Sequence, residues 1–100
     1  LYLTGSVAVE WAEHDIRLNC IAPGFIETTA FAKYPEEGLR TYFDASNPMR
    51  HPGEVQDIAE ACVYLTAPSG KFITGEVLTV DGGQQLWGDA WPGGRPAYFE

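Results

Sequence analysis

The amino-acid sequence predicts an α/β fold built on a parallel sheet. Two observations carry the prediction. Each of two helical patterns runs into a short apolar segment rich in aliphatic and β-branched residues. A helix that feeds an apolar strand is half of a strand–helix–strand unit, the element from which parallel sheets are assembled. The first such segment, "IRLNCIA", is also apolar enough to be covered on both faces, as parallel strands are.

Taken in order, "LTGSVAVEWAE" places Leu3, Val7 and Trp11 on one stripe, with Glu10 and Glu13 turned away. This spacing predicts a helix with one buried face. His14-Asp15 breaks it, and "IRLNCIA" follows as the first strand. Residues 29–51 are mixed, punctuated by Pro35 and Gly38, with a short helix expected over Glu36–Phe43. A segment of this length between elements is more often a lid or binding loop than a plain connector. "GEVQDIAEACVYLTA" then carries Val55, Ile58, Cys62 and Leu65 at three- and four-residue steps, predicting an amphipathic helix that "PSG" ends. "GEVLTVDGG" is the second strand, closed by Gly82-Gly83. Residues 84–100 mix aromatics with Gly and Pro, and are expected to wrap over a surface rather than form long regular structure.

Composition narrows the function classes. The chain has 100 residues, 45% of them hydrophobic and 20% charged, as in an ordinary globular domain. Six basic against 14 acidic residues give a net charge of -8, and the basic residues are scattered, which predicts no nucleic-acid partner. No apolar run approaches the roughly 20 residues that span a bilayer, so no membrane partner is expected. Leu1 opens the chain inside a helical pattern, and this start predicts a piece of a longer protein. Cys20 in an apolar strand and Cys62 on an apolar stripe are expected as buried free thiols in a reducing, cytoplasmic compartment. With His14 and His51 they show no metal-ligand spacing.

The segment "NCIAPGFIET" is where chemistry could sit. In open parallel sheets, ligands bind beyond the carboxyl ends of the strands, and Pro23-Gly24 falls at that edge. Glycine lets a ligand approach the backbone closely, while proline fixes the exit direction. The residues beyond can aim N–H and C=O groups at an amide-bearing ligand, with the Thr28 hydroxyl placed for a phosphate or carboxamide. On spacing alone a tight turn without a ligand is the commoner reason for Pro-Gly.

The segments "AVEWAEHDIRLNCIAPGFIET" and "DIAEACVYLTAPSGKFITGEVLTVDGG" together resemble the C-terminal part of a short-chain dehydrogenase/reductase, from Leu1 to about Gln85. The resemblance implies a C-terminal portion of a Rossmann-type doubly wound parallel sheet, with 29–51 as substrate loop and 84–100 as an aromatic tail. It implies NAD or NADP as cofactor, and hydride transfer to or from a carbonyl, alcohol or enoyl small-molecule substrate. By the same resemblance Pro23, Gly24, Ile26 and Thr28 hold the nicotinamide side of the cofactor, and Asn19 has a structural role. The family's phosphate loop and its Ser and Tyr-x-x-x-Lys would precede Leu1, so no catalytic residue is expected in this chain. Tyr2 has no lysine at the required spacing. A non-catalytic assembly module that kept this half of the fold is the alternative.

Phe31, Tyr34, Tyr42, Phe43 and Met49 are candidate pocket walls, or else they pack the loop onto its own domain. Glu36 and Glu37 are expected to favour a helix start, and His14 and His51 to sit at helix boundaries. Asp81-Gly82-Gly83 is expected to end a strand. Trp87, Trp91, Tyr98 and Phe99 need a burial partner, either their own sheet or a neighbouring subunit. The resemblance implies a homo-oligomer, tetramer or dimer, assembled through the last helix and strand. The tail also resembles a subgroup related to 2,4-dienoyl-CoA reductases and citronellol or citronellal dehydrogenases.

Overall fold

The computed structural model of the chain describes residues 2–87. They form α1 (Tyr2–Ala12), β1 (Cys20–Pro23), a 3-10 helix (Thr29–Lys33), α2 (Glu36–Ser46), α3 (Val55–Thr66), β2 (Val77–Val80) and α4 (Gln84–Trp87), with a further 3-10 turn at Pro68–Gly70. Trp91, Tyr98 and Phe99 lie outside the described residues.

The chain divides into two compact units. The first comprises the described part of Leu1–Pro23 together with Gln56–Val80, and the second comprises Gly24–Val55 and the described part of Asp81–Glu100.

In the first unit β1 and β2 pair in parallel, from Cys20 opposite Val77 to Pro23 opposite Val80. The parallel pairing is the one predicted. Helix α1 ends as His14-Asp15 suggests, through a left-handed Asp15 at φ 61°. The Ile16 N–H donates to the Trp11 carbonyl (3.3 Å) and the Asp15 N–H to that of Ala12 (3.1 Å). These two bonds satisfy carbonyls that the last helical turn would leave unpaired.

Strand β1 starts only at Cys20, later than the apolar pattern suggests, because the residues before it bond elsewhere. The Arg17 guanidinium donates to the carbonyls of Leu65 (2.6 Å), Ile73 (3.2 Å) and Thr66 (3.4 Å), closing the C-terminal end of α3. The Leu18 N–H donates to the Thr74 hydroxyl. Asn19 Nδ2 donates to the Ile73 carbonyl and its Oδ1 accepts from the Glu76 N–H, the structural role expected of it.

Burial in this unit is shallower than the stripes predict. On α1, Leu3 is 76% exposed, and the side chain that packs away is Ala8, at 2%. On α3, Leu65 is buried and Ile58 half-buried, while Val55 and Cys62 are exposed. Both strands are four residues long; β1 is half-buried up to an exposed Pro23, against the expectation of cover on both its faces, and β2 is half-buried throughout. A two-stranded sheet of that length has too little surface to cover two whole helix stripes. The expectation of two buried thiols therefore fails for Cys62; both cysteines are free, and Cys20 is half-buried.

The second unit has an aromatic core. Phe43 of α2 is buried and packs against Tyr42, Phe31 and Phe25 at ring-centroid distances of 5.3, 5.9 and 6.1 Å. Helix α2 runs past Phe43 to Ser46, with Glu36 and Glu37 in its first turn, where they favour the positive end of the helix dipole.

Candidate functional site: the Gly24–Thr28 segment

Pro23 is the last residue of β1, and Gly24, Ile26 and Thr28 open the second unit directly after it. Ile26 forms a one-residue parallel bridge with Gly53. The Gly53 N–H donates to the Phe25 carbonyl (2.9 Å), and the Glu27 N–H donates to the Gly53 carbonyl (2.7 Å). Both neighbours of Ile26 are thereby held on one edge. Because main-chain groups alternate in an extended segment, the N–H and C=O of Ile26 itself face the opposite edge. No described residue forms a backbone hydrogen bond with them. The result is one donor and one acceptor side by side on a half-buried residue whose flanks are fixed.

Gly24 is explained differently from the sequence argument. A Cβ there would stand 2.6 Å from Asp81 Cβ, 2.8 Å from Asp81 Cα and 3.0 Å from Gln84 Oε1. The space that glycine leaves open is thus filled by the chain's own β2–α4 turn. Asp81 in turn organises that turn, its carboxylate accepting from the N–H groups of Gly83 (2.8 Å) and Gln85 (3.0 Å). Gly82 and Gly83 take positive φ values of 65° and 88°. Asp81-Gly82-Gly83 is a strand-ending turn, as expected.

Thr28 is the N-cap of the 3-10 helix. Its hydroxyl accepts from the Ala30 N–H at 3.3 Å, leaving its own proton free to donate on an exposed side chain. Of the candidate pocket walls, Phe31 and Phe43 pack the loop onto itself, Tyr42 meets Phe43 while staying exposed, and Tyr34 and Met49 are exposed as well. Among the described residues His14 reaches only its exposed neighbour Glu13, at 3.4 Å, and His51 bonds the Pro52 carbonyl. Among the described residues no group of three His, Cys, Asp or Glu could hold a metal, and no helix is long and apolar enough to cross a membrane.

Sequence reasoning missed Asn47, which is buried at 2% exposure. Its Nδ2 donates to the Asp81 carbonyl (3.0 Å) and its Oδ1 accepts from the Met49 N–H (2.9 Å). The available signal is the Asn47-Pro48 dipeptide, which marks a turn but not its distant partner.

Open parallel α/β sheets as a class bind ligands beyond the carboxyl ends of their strands, and in sequence residues 24–28 follow the carboxyl end of β1. The family model described as enoyl-(acyl carrier protein) reductase matches residues 1–85, and the chain belongs to the short-chain dehydrogenase/reductase family, with that family's Rossmann-type α/β fold. It is 39% identical over 87 residues to galactitol 2-dehydrogenase (L-tagatose-forming) of Cereibacter sphaeroides, covering 85% of this chain and 34% of that protein. It is 42% identical over 91 residues to a peroxisomal 2,4-dienoyl-CoA reductase of Saccharomyces cerevisiae, covering 85% of this chain and 29% of the relative. Among solved structures, a 4-hydroxyisoleucine dehydrogenase mutant complexed with NADH and succinate superposes with a TM-score of 0.75 at 32% identity, over 85% of this chain and 35% of that one. ElxO with NADP bound gives 0.73 at 34% identity, over the same 85% and 35%. The chain therefore spans about a third of the length of the relatives it matches.

Proposed function

We propose that this chain is the nicotinamide-side portion of an NAD(P)-dependent short-chain oxidoreductase acting on a carbonyl, alcohol or enoyl substrate. The observation that carries the proposal is the N–H and C=O of Ile26, side by side and without a backbone hydrogen bond to any described residue, held from behind by Gly53. A primary carboxamide offers an acceptor oxygen and a donor NH2, the complement of that edge. The NADH- and NADP-bound neighbours support the same cofactor class. When bound, the nicotinamide ring would supply or accept the hydride.

The chain's own contribution is orientation. Ile26 would donate its N–H to the carboxamide oxygen and accept from the carboxamide nitrogen. Thr28 would offer its free hydroxyl proton, and Pro23 and Gly24 set the direction of the segment. The loop over 29–51 would present Tyr34 and Met49 to the substrate. Proton transfer belongs to a Tyr-x-x-x-Lys outside this chain. A homo-oligomer, tetramer or dimer, is supported by the exposed Val63 and Tyr64 of α3, and a reducing, cytoplasmic setting by the free cysteines.

The test uses the cofactor rather than the protein. Replacing the carboxamide by an acetyl group removes the NH2 donor alone. The full-length protein carrying this chain is expected to bind the 3-acetylpyridine analogue about 3- to 10-fold more weakly than the natural dinucleotide, one net hydrogen bond's worth. Equal affinities by calorimetry would remove the carboxamide from the Ile26 edge. The rival, a non-catalytic assembly module, is favoured by the exposed Leu3, Val9 and Phe72. It predicts no Tyr-x-x-x-Lys in the reading frame upstream of Leu1.

A further inference from the structure

We propose that Asn47 is a positioning residue that sets where the Ile26 edge lies, an inference that rests on the cofactor-holding role given to Ile26. Asn47 stands at the C-terminal end of α2, buried, with each face of its amide used once. The Nδ2 donates to the Asp81 carbonyl and the Oδ1 accepts from the Met49 N–H, so one side chain joins the β2–α4 turn to the segment leaving α2. The main chain reinforces both ends: the Met49 N–H also approaches the Gly82 carbonyl (3.3 Å), and the Arg50 N–H donates to the Asn47 carbonyl (2.9 Å).

From this clamp two routes reach the same place. One follows the chain from Met49 through Arg50, which takes a left-handed φ of 65°, to Gly53, whose N–H and C=O grip the residues on either side of Ile26. The other passes through Asp81, against which Gly24 packs too closely to carry a Cβ. The clamp leaves little room for an added atom. A Cβ on Gly82 would meet Asn47 Oδ1 at 2.7 Å, and one on Gly83 would meet Pro48 Cγ at 3.1 Å. An amide whose donor and acceptor are both fixed inside the chain, and whose two partners both lead to Gly24–Glu27, locates that segment as well as stabilising it. Packing of this kind transmits a shift rather than absorbing it. A displacement on the order of 1 Å is enough to misalign a pair of hydrogen bonds.

The experiment measures discrimination, not only affinity. Asn47→Asp keeps the acceptor for Met49 but loses the donor to Asp81, and Gly82→Ala pushes on Asn47 from the other side. In the full-length protein each variant is expected to bring the preference for the natural dinucleotide over its 3-acetylpyridine analogue below about twofold. Affinity for ADP-ribose, or its 2′-phosphate, should stay within about twofold, because that fragment never meets Ile26. A merely structural Asn47 predicts instead that all three ligands weaken in parallel, and that result, or retained discrimination, overturns the proposal. If the unsubstituted protein does not discriminate, the role of Ile26 falls first and takes this inference with it. Amide hydrogen exchange in the unsubstituted protein reads the same coupling without any substitution. The Met49, Gly53 and Glu27 N–H groups should gain protection together when dinucleotide binds. Protection confined to Gly53 and Glu27 would detach Asn47 from the site.

Discussion

A methyl group on Gly24 would overlap Cβ and Cα of Asp81, and neither atom can move without carrying the turn that Asp81 caps. Gly24→Ala in the full-length protein is therefore expected to lower stability by about 1–3 kcal/mol in the absence of any dinucleotide, the usual range for overpacking. Chemical denaturation of the ligand-free protein checks this. Unchanged stability with weakened cofactor binding would instead return the glycine to a ligand-facing role. At this scale the sequence singles out the segment but not the reason for its glycine. Pro-Gly beyond an apolar strand marks a strand exit, yet glycine is demanded equally by a ligand close to the backbone and by a neighbouring turn close to it. Thr28 shows the same ambiguity, since a hydroxyl at a helix start is a cap whether or not it also meets a phosphate.

Among the elements, the ends of α3 and β1 depend on one cation. Arg17 places its guanidinium against the carbonyls of Leu65 and Thr66 at the negative end of the α3 dipole, and against Ile73 beyond it. Arg17→Met keeps the apolar stem but removes every donor, and is expected to cost about 1–2 kcal/mol, since charge-assisted bonds to partly buried carbonyls exceed neutral ones. A denaturant midpoint within error of the unsubstituted protein would show that water replaces the guanidinium freely. Helix α3 itself was legible because its apolar residues recur at helical spacing, and β2 because a short apolar run is bracketed by glycines. The start of β1 was not. Ile16-Arg17-Leu18 continues the apolar run in sequence, but Arg17, Leu18 and Asn19 bond to residues 65–76, contacts that no local pattern encodes. Asn47 escaped for the same reason, its partner Asp81 being far along the chain.

For the molecule as a whole, the question is how much of a dinucleotide's binding free energy these 100 residues could supply. The Ile26 edge offers one donor and one acceptor and Thr28 a further donor, and net contributions of about 0.5–1.5 kcal/mol per hydrogen bond sum to at most about 4.5 kcal/mol. Micromolar affinity requires about 8 kcal/mol, and immobilising a flexible dinucleotide subtracts from whatever the contacts provide. The exposed apolar residues of α1, Leu3 and Val9, and of α3, Val63 and Tyr64, add a second constraint. Left uncovered they contribute nothing to stability and favour association instead. The isolated 100-residue chain is therefore expected to bind NAD(P)H no more tightly than the millimolar range, and to self-associate at the concentrations calorimetry needs. Titration calorimetry with sedimentation on the same sample tests both statements. A monodisperse monomer that binds NADH at micromolar concentration would mean that contacts other than the Ile26 edge hold the cofactor, and the nicotinamide would have to be placed elsewhere on the chain.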